Sequence, residues 1–285
     1  VTPAMSPRSS PSGPGRKAAA IAVSVIALVV VVVVVVTRGG SHIRPLCRVV
    51  APLGHYQLSL DQAANAATIA AVGKTAGLPD HAVSVALAAA LQESDLHNLP
   101  SGDRDSVGLF QQRPSQGWGP RDQLLKPSYA AGAFYAALEK VPGWETLPVT
   151  QAAQMVQRSA APDAYAPWEQ QARAMAEALT GEVTVGLSCQ YDSSSTSPAS
   201  VSLAAAMQNE LGSATFTSAD AAHQRLVAQW LVAHASSYRI TSVTFGSWQW
   251  GSGHATWTPL KHAQAQLAVT VAGQSGQAMT AAAAG

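Results

Sequence analysis

Charged residues are scarce in this sequence. They make up 12% of the 285 residues, and 17 lysines and arginines against 16 aspartates and glutamates leave a formal net charge of +1. Proteins that bind nucleic acid through its phosphates need an excess of basic residues. The near balance therefore excludes a nucleic-acid partner from our predictions, and the polar surface must rely on Gln, Ser, Thr and Asn.

Cysteine is almost absent, with only Cys47 and Cys189 in the chain. No C-x-x-C pair or His-x-x-x-His spacing indicates a zinc site. The segment DRDSVG, residues 103–108, begins like a calcium loop, but Val107 and Pro114 stand where oxygen ligands are required. We therefore predict no metal and no cofactor.

One long hydrophobic run does occur, AAAIAVSVIALVVVVVVVVT at residues 18–37. About 20 apolar residues suffice for a helix to cross the bilayer core of ~30 Å. Basic residues precede the run, which predicts a cytoplasmic disordered tail at 1–17 and an outward-facing remainder. A signal peptide is the alternative, but TRGGSH after the run offers no A-x-A-like cleavage site. We predict a single-pass plasma membrane protein, anchored through residues 18–37, with extracytoplasmic globular domains.

Both cysteines follow this run and would lie outside the cytoplasm. In an oxidising compartment, a disulfide between Cys47 and Cys189 is the expected outcome. Two unrelated buried thiols are the alternative.

Composition divides the remaining chain into five parts. We predict a linker at 38–56, a mostly helical domain at 57–182 and a Ser/Thr-rich linker at 183–198. A small α/β domain at 199–272 and a disordered tail at 273–285 follow. The predicted fold class is thus a mostly α domain, preceded by a transmembrane helix and followed by a small α/β domain.

Helix-start signals place a carboxylate at the end of a helix. Ser59 and Gln62 form a capping box, and Asp80 is predicted to cap the next helix, HAVSVALAAALQES. Glu93 then falls in the last turn, near the negative end of the helix dipole and above two alanines. The helix dipole and the apolar neighbours both favour the neutral carboxylic acid. They therefore predict a raised pKa for Glu93, as a general acid requires. A plain surface glutamate is the alternative.

The residues around Glu93 form a longer pattern. The stretch QESDLHNLPSGDRDSVGLFQQRPSQGWG, residues 92–119, is followed by VQRSAAPDAYAPWEQQA, residues 156–172. An ES pair at a helix end, a polar loop and GLFQ resemble the soluble lytic transglycosylase and goose-type lysozyme group. The extended form resembles the lysozyme-like domain of membrane-anchored actinobacterial cell-wall proteins. The resemblance covers about residues 57 to 181 and implies a lysozyme-like fold for the predicted α domain.

The resemblance also implies roles for residues. Glu93 matches the catalytic acid, and the GLFQQ motif matches the segment that shapes a sugar groove. Tyr165 matches the tyrosine of the A-Y-N motif, although Ala166 replaces the asparagine. Trp118 is predicted either to stack on a sugar or to pack in the core. The predicted substrate-binding residues are Ser94, Asp105, Ser106, Gly108, Leu109, Gln111, Gln112, Trp118 and Tyr165.

The implied substrate is the glycan strand of peptidoglycan, cut at the β-1,4 bond between N-acetylmuramic acid and N-acetylglucosamine. A lytic transglycosylase needs Glu93 alone and forms a 1,6-anhydro product. A hydrolytic muramidase needs a second carboxylate, for which Asp103 and Asp105 are the candidates. The aspartates could instead form turns that hold the loop. A non-catalytic peptidoglycan-binding or scaffold module is the remaining alternative.

The C-terminal region carries weaker signals. RITSVTF, residues 239–245, alternates as a strand does, and a last helix is predicted from about Pro259. Three tryptophans are close together, Trp248, Trp250 and Trp257, as in the small domain appended to some actinobacterial wall hydrolases. His234 and His254 have no partner at ligand spacing, so we predict ordinary surface or core histidines.

Overall fold

The computed structural model describes residues 44–158, 163–194, 199–215 and 220–273. The chain from Ile43 onward forms one compact unit. The predicted tail at 1–17 and the predicted anchor at 18–37 lie outside the described residues. Within the described ranges, no helix is both long and apolar enough to cross a bilayer.

The described chain contains nine α-helices and five strands. The helices are α1 (Leu60–Thr75), α2 (Asp80–Ser94), α3 (Arg121–Leu124), α4 (Pro127–Leu138), α5 (Val149–Gln157), α6 (Glu169–Leu179), α7 (Leu203–Leu211), α8 (Ala221–Ala233) and α9 (Ala235–Tyr238). The strands are β1 (Leu46–Ala51), β2 (Gly54–Leu58), β3 (Leu187–Gln190), β4 (Ile240–Gly251) and β5 (Trp257–Val271). Short 3-10 helices span Pro114–Gln116 and Ala166–Trp168.

The predicted fold class is wrong for these residues. We expected a mostly α lysozyme-like domain with a transmembrane helix before it and a small α/β domain after it. The structure is a mixture of helices and strands, with β1 inside the predicted linker at 38–56, β2 across its end and β3 in the linker at 183–198. Four to six residues give too short a period-two pattern to stand out in a sequence.

The three short strands form one antiparallel sheet in the order β2-β1-β3. Cys47 of β1 lies directly opposite Cys189 of β3, and the two residues form a disulfide. The predicted disulfide is therefore confirmed. Val49 is buried, whereas Arg48 and Val50 on either side of it are exposed, so one face of β1 packs on the core.

Helix α2 occupies the centre of the fold. Every residue from 82 to 91 is buried, and α2 packs against α1, α5 and α6. A helix that is apolar on all sides is expected to be surrounded by other elements, and its alanines let neighbouring backbones come close. The structure corrects one detail, because Pro79 precedes the helix as its cap and Asp80 is the first helical residue. At the two ends of α2, Gln92 is exposed, and Asp80, His81 and Glu93 are half-buried.

Strands β4 and β5 form a long hairpin, which is the last element of the described residues. A last helix was predicted there, from about Pro259. The tryptophan segment belongs to this hairpin. Trp250 donates its indole N–H to the carbonyl of Cys189 at 2.8 Å, and Trp257 donates to the carbonyl of Leu187 at 2.7 Å. Both bonds tie the hairpin to β3, so the hydrophobic core continues across the predicted boundary at 183–198.

His234 lies in the core between α1, α7 and α8. Its ring stacks on Trp230 with centroids 4.1 Å apart, and its Nε2 lies 3.3 Å from the hydroxyl of Thr68. The same hydroxyl donates to Glu210 at 2.8 Å. Burial lowers the pKa of His234, against an opposing effect of the Glu210 carboxylate. This polar cluster is satisfied internally, while His254 is exposed on the hairpin turn.

Candidate functional site

The end of α2 is held in an unusual backbone conformation. Asp95 (φ 51°) and Leu96 (φ 60°) are both left-handed, which stops the helix directly after Ser94. Side chains of α1 hold these residues, because Gln62 donates to the carbonyl of Asp95 at 2.9 Å and Asn65 donates to that of Leu96 at 2.8 Å. Gln62 also closes the predicted capping box with its side chain, so α1 and the end of α2 are fixed together.

Glu93 projects from this last turn and is half-buried. The hydroxyl of Tyr165 donates to its Oε1 at 2.8 Å. Burial raises the pKa of the Glu93 carboxyl, while hydrogen bonds from Tyr165 and Gln157 act to lower it. A raised pKa and a fixed position are two properties that a general acid requires.

The segment that supplies Tyr165 is pinned to the same helix end. Tyr165 is only 1% exposed, so its ring is fixed by the core. Three residues later, the indole N–H of Trp168 donates to the amide oxygen of Gln92 at 2.7 Å. Trp168 is half-buried in this position. The two contacts, to the side chains of Glu93 and Gln92, hold the predicted third motif against the last turn of α2.

The GLFQQ motif lies beneath the site and is largely core. Leu109 is buried, and Gln112 is 1% exposed, with its amide donating to the carbonyl of Ala130 at 3.1 Å. Ser94 is also buried, and its hydroxyl donates to the carbonyl of Leu109 at 2.7 Å. Gly108 has φ 77°, and an added Cβ there would come within 2.6 Å of the Leu124 carbonyl oxygen. These predicted substrate-binding residues hold the loop against the helix end.

The loop between α2 and the motif closes on itself. Ser106 is buried, and its hydroxyl donates to the amide oxygen of Gln111 at 3.0 Å, while the Gln111 amide donates back to the carbonyl of Gly108 at 3.1 Å. Gln111 is half-buried and has φ 46°. A Cβ on Gly102 would overlap the Gln111 side chain, so the loop backbone lies directly on this amide. Gln111 therefore shapes the loop from within.

The two loop aspartates differ in their surroundings. Asp105 accepts hydrogen bonds from Arg113 at 2.8 Å and from the backbone N–H and hydroxyl of Ser115 at 2.7 and 2.9 Å. The Arg113 guanidinium and these donors hold the pKa of Asp105 well below its usual range. Asp103 has a side chain 92% exposed beside Arg104. Asp105 is thus an ionised structural anchor of the loop.

An open cleft of about 460 Å³ is lined by Gln157, a hydrogen-bond partner of Glu93, although Glu93 itself is not a lining residue. Gln157 connects the two, because it lines the cleft, hydrogen-bonds to Glu93 and donates its amide to the carbonyl of Phe110 at 2.9 Å. Trp118, predicted as a sugar platform, forms part of the wall and is half-buried. The lining residues are Gln116, Gly117, Trp118, Ala133, Ala136, Ala137, Lys140, Val141, Met155, Val156, Gln157 and Arg158.

Sequence reasoning missed three residues of this site, Gln157, Lys140 and Arg158. Gln157 falls inside the quoted stretch 156–172, but nothing in its local pattern distinguishes it from the other glutamines of α5. Lys140 and Arg158 follow the ends of two different helices. Only the packing of α4 and α5 brings them to one cleft.

Across the described ranges, no group of three or more His, Cys, Asp or Glu side chains is arranged to hold a metal ion. A scan against protein-family models finds no match for this chain. A search of curated proteins finds none either.

Proposed function

We propose that this protein cleaves the glycan strands of peptidoglycan, as a lytic transglycosylase with Glu93 as its single general acid and base. The observation that carries this proposal is a half-buried carboxyl with a raised pKa, held by Tyr165 and by Gln157, a residue that lines an open cleft. The motif resemblance around Glu93 adds to it and supplies the substrate class.

The reaction uses one carboxyl twice. Protonated Glu93 gives its proton to the glycosidic oxygen, the C1–O bond of the muramic acid breaks, and the N-acetylglucosamine leaves with a free 4-hydroxyl group. The Glu93 carboxylate then takes the proton of the muramic acid C6 hydroxyl, and O6 forms the new bond to C1. The product is a 1,6-anhydro ring, and no water is consumed.

The surroundings of the aspartates support this route over hydrolysis. A glycoside hydrolase needs a second carboxylate that acts as nucleophile or activates water. The three hydrogen bonds to Asp105 all come from its own loop, from Arg113 and Ser115. These bonds hold the loop in place, and they would be broken if the Asp105 carboxylate turned to a substrate.

Location outside the cytoplasm is part of the proposal. The disulfide between Cys47 and Cys189 supports it, because such bonds persist in oxidising compartments and are rare in the cytosol. Peptidoglycan is also found there, so substrate and enzyme would share one compartment.

The first experiment incubates the full chain with purified peptidoglycan and identifies the released fragments by mass spectrometry. We expect fragments that end in 1,6-anhydromuramic acid, one water lighter than hydrolysis products. Glu93→Gln should lose at least about a hundredfold in rate, the size typical of a lost general acid. Its melting temperature should stay close to that of the wild type, because the glutamine preserves size and shape.

Glu139→Gln is the matched control, since Glu139 also lies at the C-terminal end of a helix but is exposed. It should cleave at the wild-type rate. Ordinary reducing ends in place of anhydro ends would identify a muramidase. If neither Glu93 form releases fragments while both sediment with the wall, a binding module replaces the enzyme proposal.

A further inference from the structure

The cleft lined by Gln157 carries charge of one sign only. Lys140 and Arg158 line it, and none of the described lining residues is Asp or Glu. Both cationic side chains are exposed. Among the described residues, neither of them forms an ion pair. Two unpaired cations in one concave surface attract an anionic ligand, because the concavity concentrates their field.

The remainder of the wall suits an uncharged ring. Ala133, Ala136 and Ala137 form a low apolar surface along α4, and Trp118 lies at the edge of the cleft. An aromatic face and small apolar side chains can pack against the C–H face of a pyranose. Gln157 also lines the cleft, and it hydrogen-bonds to Glu93. The cleft therefore pairs an apolar platform with two positive charges.

Helix ends offer a simpler explanation of the two cations. Lys140 follows the end of α4 and Arg158 directly follows α5, where positive charges favour the helix dipole. That role would stabilise the fold without any ligand. It does not explain why two separate helices end at one cleft. It predicts that removal of the two charges lowers the melting temperature and leaves ligand affinity unchanged.

We propose that Lys140 and Arg158 bind a carboxylate carried by the glycan, so that the cleft selects acidic glycan strands over neutral polymers such as chitin. This inference rests on the proposed function and makes it more specific. The carboxylate belongs either to the lactyl group of a peptide-free muramic acid or to the stem peptide attached there. Both sources present the same chemistry to the two cations.

The test measures dissociation constants by calorimetry on the full chain carrying Glu93→Gln, so that ligands stay intact. Three ligands of equal sugar length are compared: glycan with stem peptides, peptide-free glycan with lactyl carboxylates, and chitin oligosaccharide. Lys140→Gln combined with Arg158→Gln should weaken binding of the acidic ligand about tenfold and flatten its salt dependence. Affinity for the chitin oligosaccharide should not change.

The matched control combines Arg48→Gln with Lys261→Gln, which removes the same charge from exposed strand positions outside the cleft. It should bind all three ligands as the parent does. Comparison of the two acidic ligands identifies the carboxylate source, since only the true source will show the tenfold loss.

A second arm changes the ligand instead of the protein. Amidation of the glycan carboxylates should weaken binding by the same factor, which keeps the test valid if the double variant does not fold. The charge-conserving double variant Lys140→Arg, Arg158→Lys should bind the acidic ligand with the affinity of the parent chain.

Three results would overturn the inference. Unchanged affinity with a lower melting temperature would show a helix-capping role, and an equal loss for chitin would show damage to the cleft. Unchanged binding of the amidated ligand would show that the cleft does not recognise a carboxylate. Failure of the proposed function is distinct, since the wild-type chain would then release no 1,6-anhydro fragments from peptidoglycan, whatever affinities the three ligands show.

Discussion

At the scale of single residues, the chemistry depends on the balance of effects on Glu93. Burial raises the pKa of its carboxyl, and donors from Tyr165 and Gln157 act in the opposite direction. The raised pKa also links folding to pH. A carboxyl with a folded pKa above 4.5 contributes stability that is fully present below pH 4.5 and is lost as the pH rises through the folded value.

Removal of the Tyr165 hydroxyl should shift the pH dependence of cleavage. The hydroxyl stabilises the charged carboxylate, so Tyr165→Phe should raise the pKa of Glu93 further. Because the acid form then persists to higher pH, the alkaline limb of the rate profile should move upward in pH. Rates of cleavage measured at a series of pH values check this.

Tyr135→Phe provides the control. Tyr135 is equally buried, but its hydroxyl donates to the carbonyl of Ile69, within the helical core. It should lower stability by about 1 kcal/mol and leave the pH profile unchanged. A downward shift of the limb in Tyr165→Phe would contradict the role assigned to the hydroxyl.

At the scale of elements, the candidate site lies where helices end and the backbone adopts left-handed conformations. Five of the six described non-glycine residues with positive φ occur at the end of α2, in the following loop and motif, or at the end of α5. They are Asp95, Leu96, Arg104, Gln111 and Arg158. Such conformations each cost of the order of 1 kcal/mol and persist only where packing enforces them. Their concentration here indicates that the loop geometry is maintained at some cost to stability.

Gly108 tests this close packing. Gly108→Ala combines a left-handed backbone at φ 77° with a Cβ only 2.6 Å from the Leu124 carbonyl oxygen. We expect a loss of about 2 to 4 kcal/mol, the sum of about 1 to 2 for the backbone and 1 or more for the overlap. Urea unfolding measures the difference.

Gly143→Ala isolates the backbone contribution. Gly143 has φ 71°, and a Cβ there would meet nothing within 4 Å. It should cost only about 1 to 2 kcal/mol. Equal losses for the two variants would show that the contact with Leu124 relaxes freely.

At the scale of the whole molecule, one disulfide closes most of the fold. Cys47 and Cys189 are 142 residues apart, and the loop between them contains Glu93 and the cleft. On the chain-entropy model, such a loop is worth on the order of 5 kcal/mol through its restriction of the unfolded chain. The double variant Cys47→Ala, Cys189→Ala should lose stability up to that size.

Denaturant unfolding of the double variant, beside the reduced and oxidised wild type, measures this loss. The reduced wild type should match the variant within about 1 kcal/mol. A loss below about 1 kcal/mol would mean that the unfolded chain is hardly restrained by the bond.

What the sequence determined by itself was local or involved very few choices. The Ser59 capping box depends on residues three apart, and Glu93 lies in the last turn of α2 because that helix is encoded by its own alanine-rich run. Two cysteines allow only one pairing within the chain. Each of these inferences needs little or no knowledge of distant contacts.

The tertiary structure decided everything that depends on distant partners. Strands β1 and β3 exist because they pair across 142 residues, and β5 is a strand because β4 supplies its hydrogen bonds, although its AQAQ stretch contains good helix formers. The grouping of Gln157, Lys140 and Arg158 at one cleft depends on how α4 and α5 pack. Short-range patterns carry no information on such packing, because it is set by burial and pairing energies summed over the whole core.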